Sequence, residues 1–329
     1  LGQLVSLLDG SFGTQISTHV GKGPEGDPLW TARFLATDPK AVYETHLDFL
    51  RAGSDIIETT TYQASINGFK EHLGLDEKGS LDLIYKAVDL ARQAVETYKE
   101  ETKDDNAIVN RSPLIAGSCG PYGATLHDGS EYTGSYCKTV SKEFLTEWHR
   151  PRIEALLDAG VDLLAIETIP CAEEAEAIVE LLNDYPGAKA WISFSCGADG
   201  VSLANGANFQ EVATRCYRGS TPGQLIAVGV NCLSPQLVTP LLKGINNEDD
   251  GDETIPLVVY PNSGEVYSAK EGWKKDGKEE PLGPANFVHE WLDLGVRYIG
   301  GCCRTRADDI AKIRTQIEIW QSLERETAL

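Results

Sequence analysis

Eight short apolar runs, helical stretches between them, tight turns into the runs and long loops out of them together predict an α/β chain folded as a single (β/α)8 barrel. The runs cover residues 4–8, 55–61, 114–118, 162–168, 190–195, 225–232, 257–261 and 297–301. They are apolar at nearly every position, as expected of parallel strands covered by helices on both faces of the sheet. Segments 38–52, 80–98, 141–159, 172–185, 284–293 and 307–323 read as helices. The first begins with Asp38 as a side-chain cap and Pro39 with its φ preset for the first turn. Three helix ends repeat one pattern, with Gly53, Gly160 and Gly295 placed to turn left-handed just before a strand. The connections out of the strands are long by contrast, at 10–37, 62–79, 120–140 and 262–283, which places the functional loops at the strands' C-terminal ends. A doubly wound open sheet is the alternative. No Pro- or Ser-rich linker interrupts the pattern, so one domain is expected over 1–329, with the acidic run 246–253 as a solvated loop.

The composition excludes several classes of function. Fifty acidic against 29 basic residues give a formal charge of −21, which repels nucleic-acid backbones and anionic membranes. No uncharged apolar stretch reaches the roughly 18 residues of a membrane span, and the N-terminus lacks a basic leader, so a cytoplasmic protein is expected. A monomer or small homo-oligomer acting on small molecules fits this reading. Eight cysteines are too dilute for a disulfide scaffold. In a reducing compartment their work is packing, metal binding or catalysis, and the sequon at Asn110 is accidental. The chain has no methionine, which nothing in the sequence explains.

If the barrel is right, chemistry lies where the strands end. Those ends carry Asp9, Thr61-Tyr62-Gln63, Glu167-Thr168, Asn231-Cys232, Pro261-Asn262-Ser263-Gly264 and Gly300-Gly301-Cys302-Cys303-Arg304. Adjacent cysteines on a strand point to opposite faces, but glycines before them let the backbone turn both sulfurs to one point. Cys232 ends a strand two places away, so three thiolates could meet and leave a metal's fourth position open to substrate. The plain alternatives are small buried cysteines or a redox pair at 302 and 303. Glu167 and Asp9 suit a substrate amine or a base, or are ordinary helix-start acids. Cys119, Cys137, Cys171, Cys196 and Cys216 are expected to be buried bystanders, and His127 and His149 structural. The Gly21–Gly26 stretch has the spacing of a dinucleotide loop, but neither follows a strand nor opens a helix, and is rejected.

Taken together, these segments resemble the homocysteine S-methyltransferase family, the zinc-dependent thiol and selenol methyltransferases. The resemblance runs from Leu8-Asp9-Gly10-Ser11-Phe12-Gly13 through Thr61-Tyr62-Gln63-Ala64-Ser65, Gly120-Pro121-Tyr122-Gly123, Glu147-Trp148-His149-Arg150-Pro151-Arg152 and Gly229-Val230-Asn231-Cys232 to Gly300-Gly301-Cys302-Cys303-Arg304. It implies a (β/α)8 barrel with Zn2+ on Cys232, Cys302 and Cys303, which activate the substrate thiol through the metal. It further implies that Asp9 and Glu167 hold the amino-acid end of homocysteine, and Gln63 and Asn231 join them as substrate contacts. Ser11 replaces a usual glycine, Cys119 a common valine, and Glu58 an apolar or small residue. The Glu167-Thr168-Ile169-Pro170 and Pro261-Asn262-Ser263-Gly264-Glu265 segments resemble the branch using sulfonium donors, and the end of the chain at its eighth helix implies no appended cofactor module. S-Methylmethionine or S-adenosylmethionine is therefore the expected donor and methionine the product. Betaine or selenocysteine chemistry on the same site, a non-catalytic zinc- or thiol-binding barrel, and a thiol oxidoreductase are the alternatives.

Overall fold

A computed structural model describes residues 4–105, 111–246, 253–268, 272–274 and 281–327. The strands are β1 (Ser6–Leu7), β2 (Ile56–Glu58), β3 (Leu114–Cys119), β4 (Leu163–Ile169), β5 (Ala190–Phe194), β6 (Leu225–Asn231), β7 (Leu257–Tyr260), β8 (Val266–Ser268), β9 (Gly272–Lys274) and β10 (Val296–Ile299). Eight of them form one sheet in the order β1-β10-β7-β6-β5-β4-β3-β2, and every pairing is parallel. The seam between β2 and β1 is closed by Asp55, whose N–H donates to Leu7 O at 2.7 Å and whose carboxylate accepts from Leu7 N at 2.8 Å. The sheet is thus a barrel, as expected. β8 and β9 form a separate antiparallel hairpin in the loop after β7, which the run pattern did not predict.

The helices are α1 (Phe12–Val20), α2 (Phe34–Thr37), α3 (Pro39–Arg51), α4 (Ile66–Leu73), α5 (Glu77–Glu101), α6 (Lys142–Asp158), α7 (Ala172–Leu182), α8 (Phe209–Gly219), α9 (Val238–Leu242), α10 (Val288–Asp293) and α11 (Ala307–Thr327). Asp38 caps α3 by accepting from Ala41 N at 3.0 Å, and Gly53, Gly160 and Gly295 all have positive φ. Among the described residues no helix is long and apolar enough to cross a membrane. Residues 247–252 of the acidic run and Asn110 of the sequon lie outside the described residues.

Two apolar cores divide the work. The larger packs helices against the outside of the barrel, and burial at every position of β4 and β5 reflects strands covered on both faces. The smaller fills the barrel with Leu8, Ile56, Ala116, Leu163, Ala165, Trp191, Ala227, Val258 and Tyr260. Because side chains alternate along a strand, the next inward positions after Ile56, Ala116, Ala165 and Trp191 are Glu58, Ser118, Glu167 and Ser193. The barrel is therefore apolar at its base and polar at its C-terminal mouth.

One expectation is corrected. Cys137 and Cys171 are joined by a disulfide rather than standing apart as buried bystanders. Neighbouring strands β3 and β4 bring the loop after the first and the helix start after the second to one place. A separation of 34 residues conceals that pairing in the sequence.

Candidate metal centre and carboxyl cluster

Cys232 follows β6, and Cys302 and Cys303 follow β10. Their sulfurs all lie within 4.8 Å of one another, with Cys232 Sγ 3.5 Å from Cys303 Sγ. Backbone hydrogen bonds fix this meeting. Cys232 N donates to Tyr260 O at 3.2 Å, Cys302 N to Pro261 O at 2.7 Å, and Ser263 N to Cys303 O at 3.0 Å. The end of β7 and the residues that follow it thus grip both cysteine-bearing ends from their position between them. The two glycines act differently from the expected kink, because neither has positive φ. A Cβ on Gly300 would lie 2.7 Å from Asp9 O, and one on Gly301 would run into the Thr305 side chain. They are needed for close approach, and the left-handed turns fall instead on Cys232 (φ 58°) and Arg304 (φ 69°). Arg304 is held by Glu265, its Nε donating at 2.9 Å, which ties the segment after β7 to the cysteine pair.

The three thiols form one titrating unit. Hydrogen bonds from Cys302 and Cys303 hold Cys232 well below the ordinary thiol range, and the same contacts with Cys232 push its two neighbours above theirs. A tetrahedral thiolate site with bonds of about 2.3 Å has sulfurs roughly 3.8 Å apart, so this cluster fits a soft metal ion with one position left for substrate.

The mouth also carries three carboxyl groups. Asp9 is buried and accepts from Glu58 N at 2.8 Å. Glu167 is buried, accepts from Ser118 Oγ, and sits against Glu58 and Tyr260. Burial raises its pKa to about 7, although hydrogen bonds from Ser118, Glu58 and Tyr260 oppose the rise. Burial likewise pushes Asp9 and Glu58 well above the carboxylate range, and repulsion within the cluster adds to it. So crowded a trio favours shared protons over three separate negative charges.

The other candidates are placed as follows. Asn231 is committed to its neighbours, accepting from Thr168 N at 2.9 Å and Ser193 Oγ at 2.9 Å and donating to Thr168 Oγ1 at 2.8 Å. It thereby fixes Thr168, which has positive φ directly after Glu167. Gln63 donates to Ala124 O at 2.9 Å and lines a cavity of about 240 Å³ with His72, Tyr122, His127 and Trp148. His149 is structural, bonded to Glu174 at 2.7 Å and Arg152 at 2.9 Å, while burial lowers its pKa. Cys119 is buried with its thiol raised to about 11, which leaves it inert. Glu58 stood out in the sequence only as a departure, although alternation from Ile56 would have turned it inward. Tyr132, whose hydroxyl lies 3.5 Å from Cys232 Sγ, sits in a loop with no periodic signal.

A sequence profile described as homocysteine S-methyltransferase matches residues 6–317. The chain belongs to the homocysteine S-methyltransferase family. It is 47% identical over 317 residues to a betaine-homocysteine S-methyltransferase of Drosophila melanogaster, covering 94% of this chain and 93% of that one. It is 42% identical over 316 residues to a homocysteine S-methyltransferase of Escherichia coli, covering 95% and 96%, and 37% identical to a selenocysteine Se-methyltransferase of Brassica oleracea, covering 97% and 90%. The fold matches the metallated form of the homocysteine methyltransferase MmuM of Escherichia coli with a TM-score of 0.79 and 41% identity, covering 95% of this chain and 96% of that one. Membership of this homocysteine S-methyltransferase family makes the chain a methyltransferase.

Proposed function

We propose that this methyltransferase moves a methyl group from a sulfonium donor, S-methylmethionine or S-adenosylmethionine, to the sulfur of homocysteine at a zinc ion held by Cys232, Cys302 and Cys303. The convergence of three sulfurs within 4.8 Å beside a buried carboxyl cluster carries this reading. Zinc bound there supplies the positive charge that keeps a substrate thiol deprotonated near neutral pH. Asp9 and Glu167 bind the α-ammonium of homocysteine and so aim its thiol at the cysteines. Asn231 acts by holding Thr168, and with it the end of β4, in place. Gln63 faces the donor side. The sulfonium methyl then passes in line to the homocysteine sulfur, turning a cation and a thiolate into two neutral thioethers. No general acid is required, and positioning contributes more than charge stabilisation. One homocysteine-binding barrel domain over 1–329, acting as a monomer or small homo-oligomer, completes the reading.

The Drosophila relative favours a second reading, in which betaine is the donor. Methionine formation from homocysteine, assayed separately with S-methylmethionine, S-adenosylmethionine and betaine, decides between them. A sulfonium donor should support turnover, with about one zinc per chain that is lost in Cys302→Ser. Turnover with betaine alone overturns the donor assignment. Zinc without turnover on any donor leaves a binding protein.

A further inference from the structure

A metal centre of four thiolates has a selectivity problem. Three are fixed ligands and one is the substrate, yet all four are sulfur nucleophiles within reach of an electrophilic methyl group. Tyr132 bears on this. The residue as a whole is half-exposed, but its hydroxyl lies 3.5 Å from Cys232 Sγ. Once Cys232 is a thiolate, only the phenol can supply the proton in that contact.

The loop that delivers Tyr132 is clamped on both sides. Ser130 N donates to Asp128 Oδ1 at 2.9 Å, and Gly134 N to Ser130 O at 2.8 Å. Gly129 and Gly134, both at positive φ, bracket the turn, and a Cβ on Gly134 would lie 2.8 Å from that of Asn205. Just beyond, Tyr136 donates to the buried Glu174, and Cys137 is joined to Cys171 at the start of α7. These restraints hold the backbone from which the Tyr132 hydroxyl reaches Cys232 Sγ.

We propose that Tyr132 is a positioning residue that donates a hydrogen bond to the Cys232 thiolate, holding it as a ligand and lowering its nucleophilicity so that the substrate sulfur, not Cys232, takes the methyl group. The undesired step forms a Cys232 S–CH3 bond, breaks the donor's S–CH3 bond and releases a neutral thioether. This proposal rests on the reading of Cys232 as a zinc ligand, and its test needs no methyl donor. Zinc-loaded wild type and Tyr132→Phe are compared for zinc transfer to a chromophoric chelator and for alkylation of each cysteine by iodoacetamide, read by peptide mass. Loss of one hydrogen bond should weaken zinc binding about fivefold and speed alkylation of Cys232 by a similar factor, with Cys302 and Cys303 unchanged. Tyr132→Leu, which also lacks the hydroxyl, should behave like the Phe variant. Equal zinc affinity and equal Cys232 alkylation in wild type and Tyr132→Phe overturn the proposal, as does an effect in the Leu variant alone. A wild type that binds no zinc instead defeats the reading beneath it.

Discussion

Glu167 is a carboxyl group in a place that disfavours its charge, with a proposed function that depends on that charge. With its pKa raised to about 7, homocysteine binding should strengthen as pH rises through about 7, because only the ionised form pairs with the α-ammonium. Glu167→Gln should raise the KM for homocysteine by at least tenfold, since a charged hydrogen bond contributes about 1.5–3 kcal/mol, and should flatten that pH dependence. The linkage to stability has the opposite sign. The folded chain holds a proton that the unfolded chain gives up above about pH 4.5, so the ligand-free protein should lose stability between about pH 4.5 and 7. Urea unfolding of wild type and Glu167→Gln across that range checks this, and equal slopes for the two would count against it. Asp9 and Glu167 were legible because they end strands. Glu58 required knowing which way β2 faces, and Tyr132 depends on tertiary clamps that leave no local pattern.

At the scale of elements, α3 carries a cost that its apolar periodicity conceals. His46 is fully buried against Phe12, with ring centroids 4.9 Å apart, and neither ring nitrogen has a hydrogen-bond partner among the described residues. Burial lowers its pKa to about 3, so it stays neutral in the fold but gains a proton on unfolding below about pH 6.5. Stability should therefore fall on acidification by about 1.4 kcal/mol per pH unit from this group. His46→Leu removes both unsatisfied nitrogens and should be more stable than wild type at pH 5, by a margin that shrinks toward pH 8. A thermal melt of the two proteins at both pH values measures it. The 34-residue separation of Cys137 and Cys171 implies that Cys171→Ser costs about 3–4 kcal/mol of unfolding free energy, read from the urea midpoint. Of the helices read from the sequence, α3 and α6 have both a side-chain cap, Asp38 or Ser141, and a following glycine at positive φ. Helices α1 and α4 went unread because they lie inside long loops, and the β8–β9 hairpin lacks an apolar run.

For the whole molecule the decisive event is closure. The order of eight parallel strands was legible from apolar runs and short returns, but where the sheet joins itself was not, because β1 is only two residues long. Asp55 does there what a longer ladder does elsewhere. Its backbone N–H and its carboxylate both bond Leu7, and the same carboxylate is held by Arg314 of α11, whose Nε also donates to Gly53 O at 3.2 Å. Asp55→Ala would leave the N–H of fully buried Leu7 without a partner and Arg314 without its anion. Such a loss costs about 1–3 kcal/mol for the amide, with a smaller share for the partly exposed ion pair. Asp55→Asn keeps an acceptor and should cost about 1 kcal/mol. Both variants should lower the urea midpoint without changing the m-value, since the surface exposed on unfolding stays the same. The seam also reaches the site, because Asp9 lies two residues beyond Leu7 and is held across the seam by Glu58 N at 2.8 Å. Loosening it should therefore raise the KM for homocysteine in Asp55→Ala more than it lowers kcat. An Asp55→Ala protein as stable as wild type would mean that the packing of α11, rather than Asp55, closes the barrel.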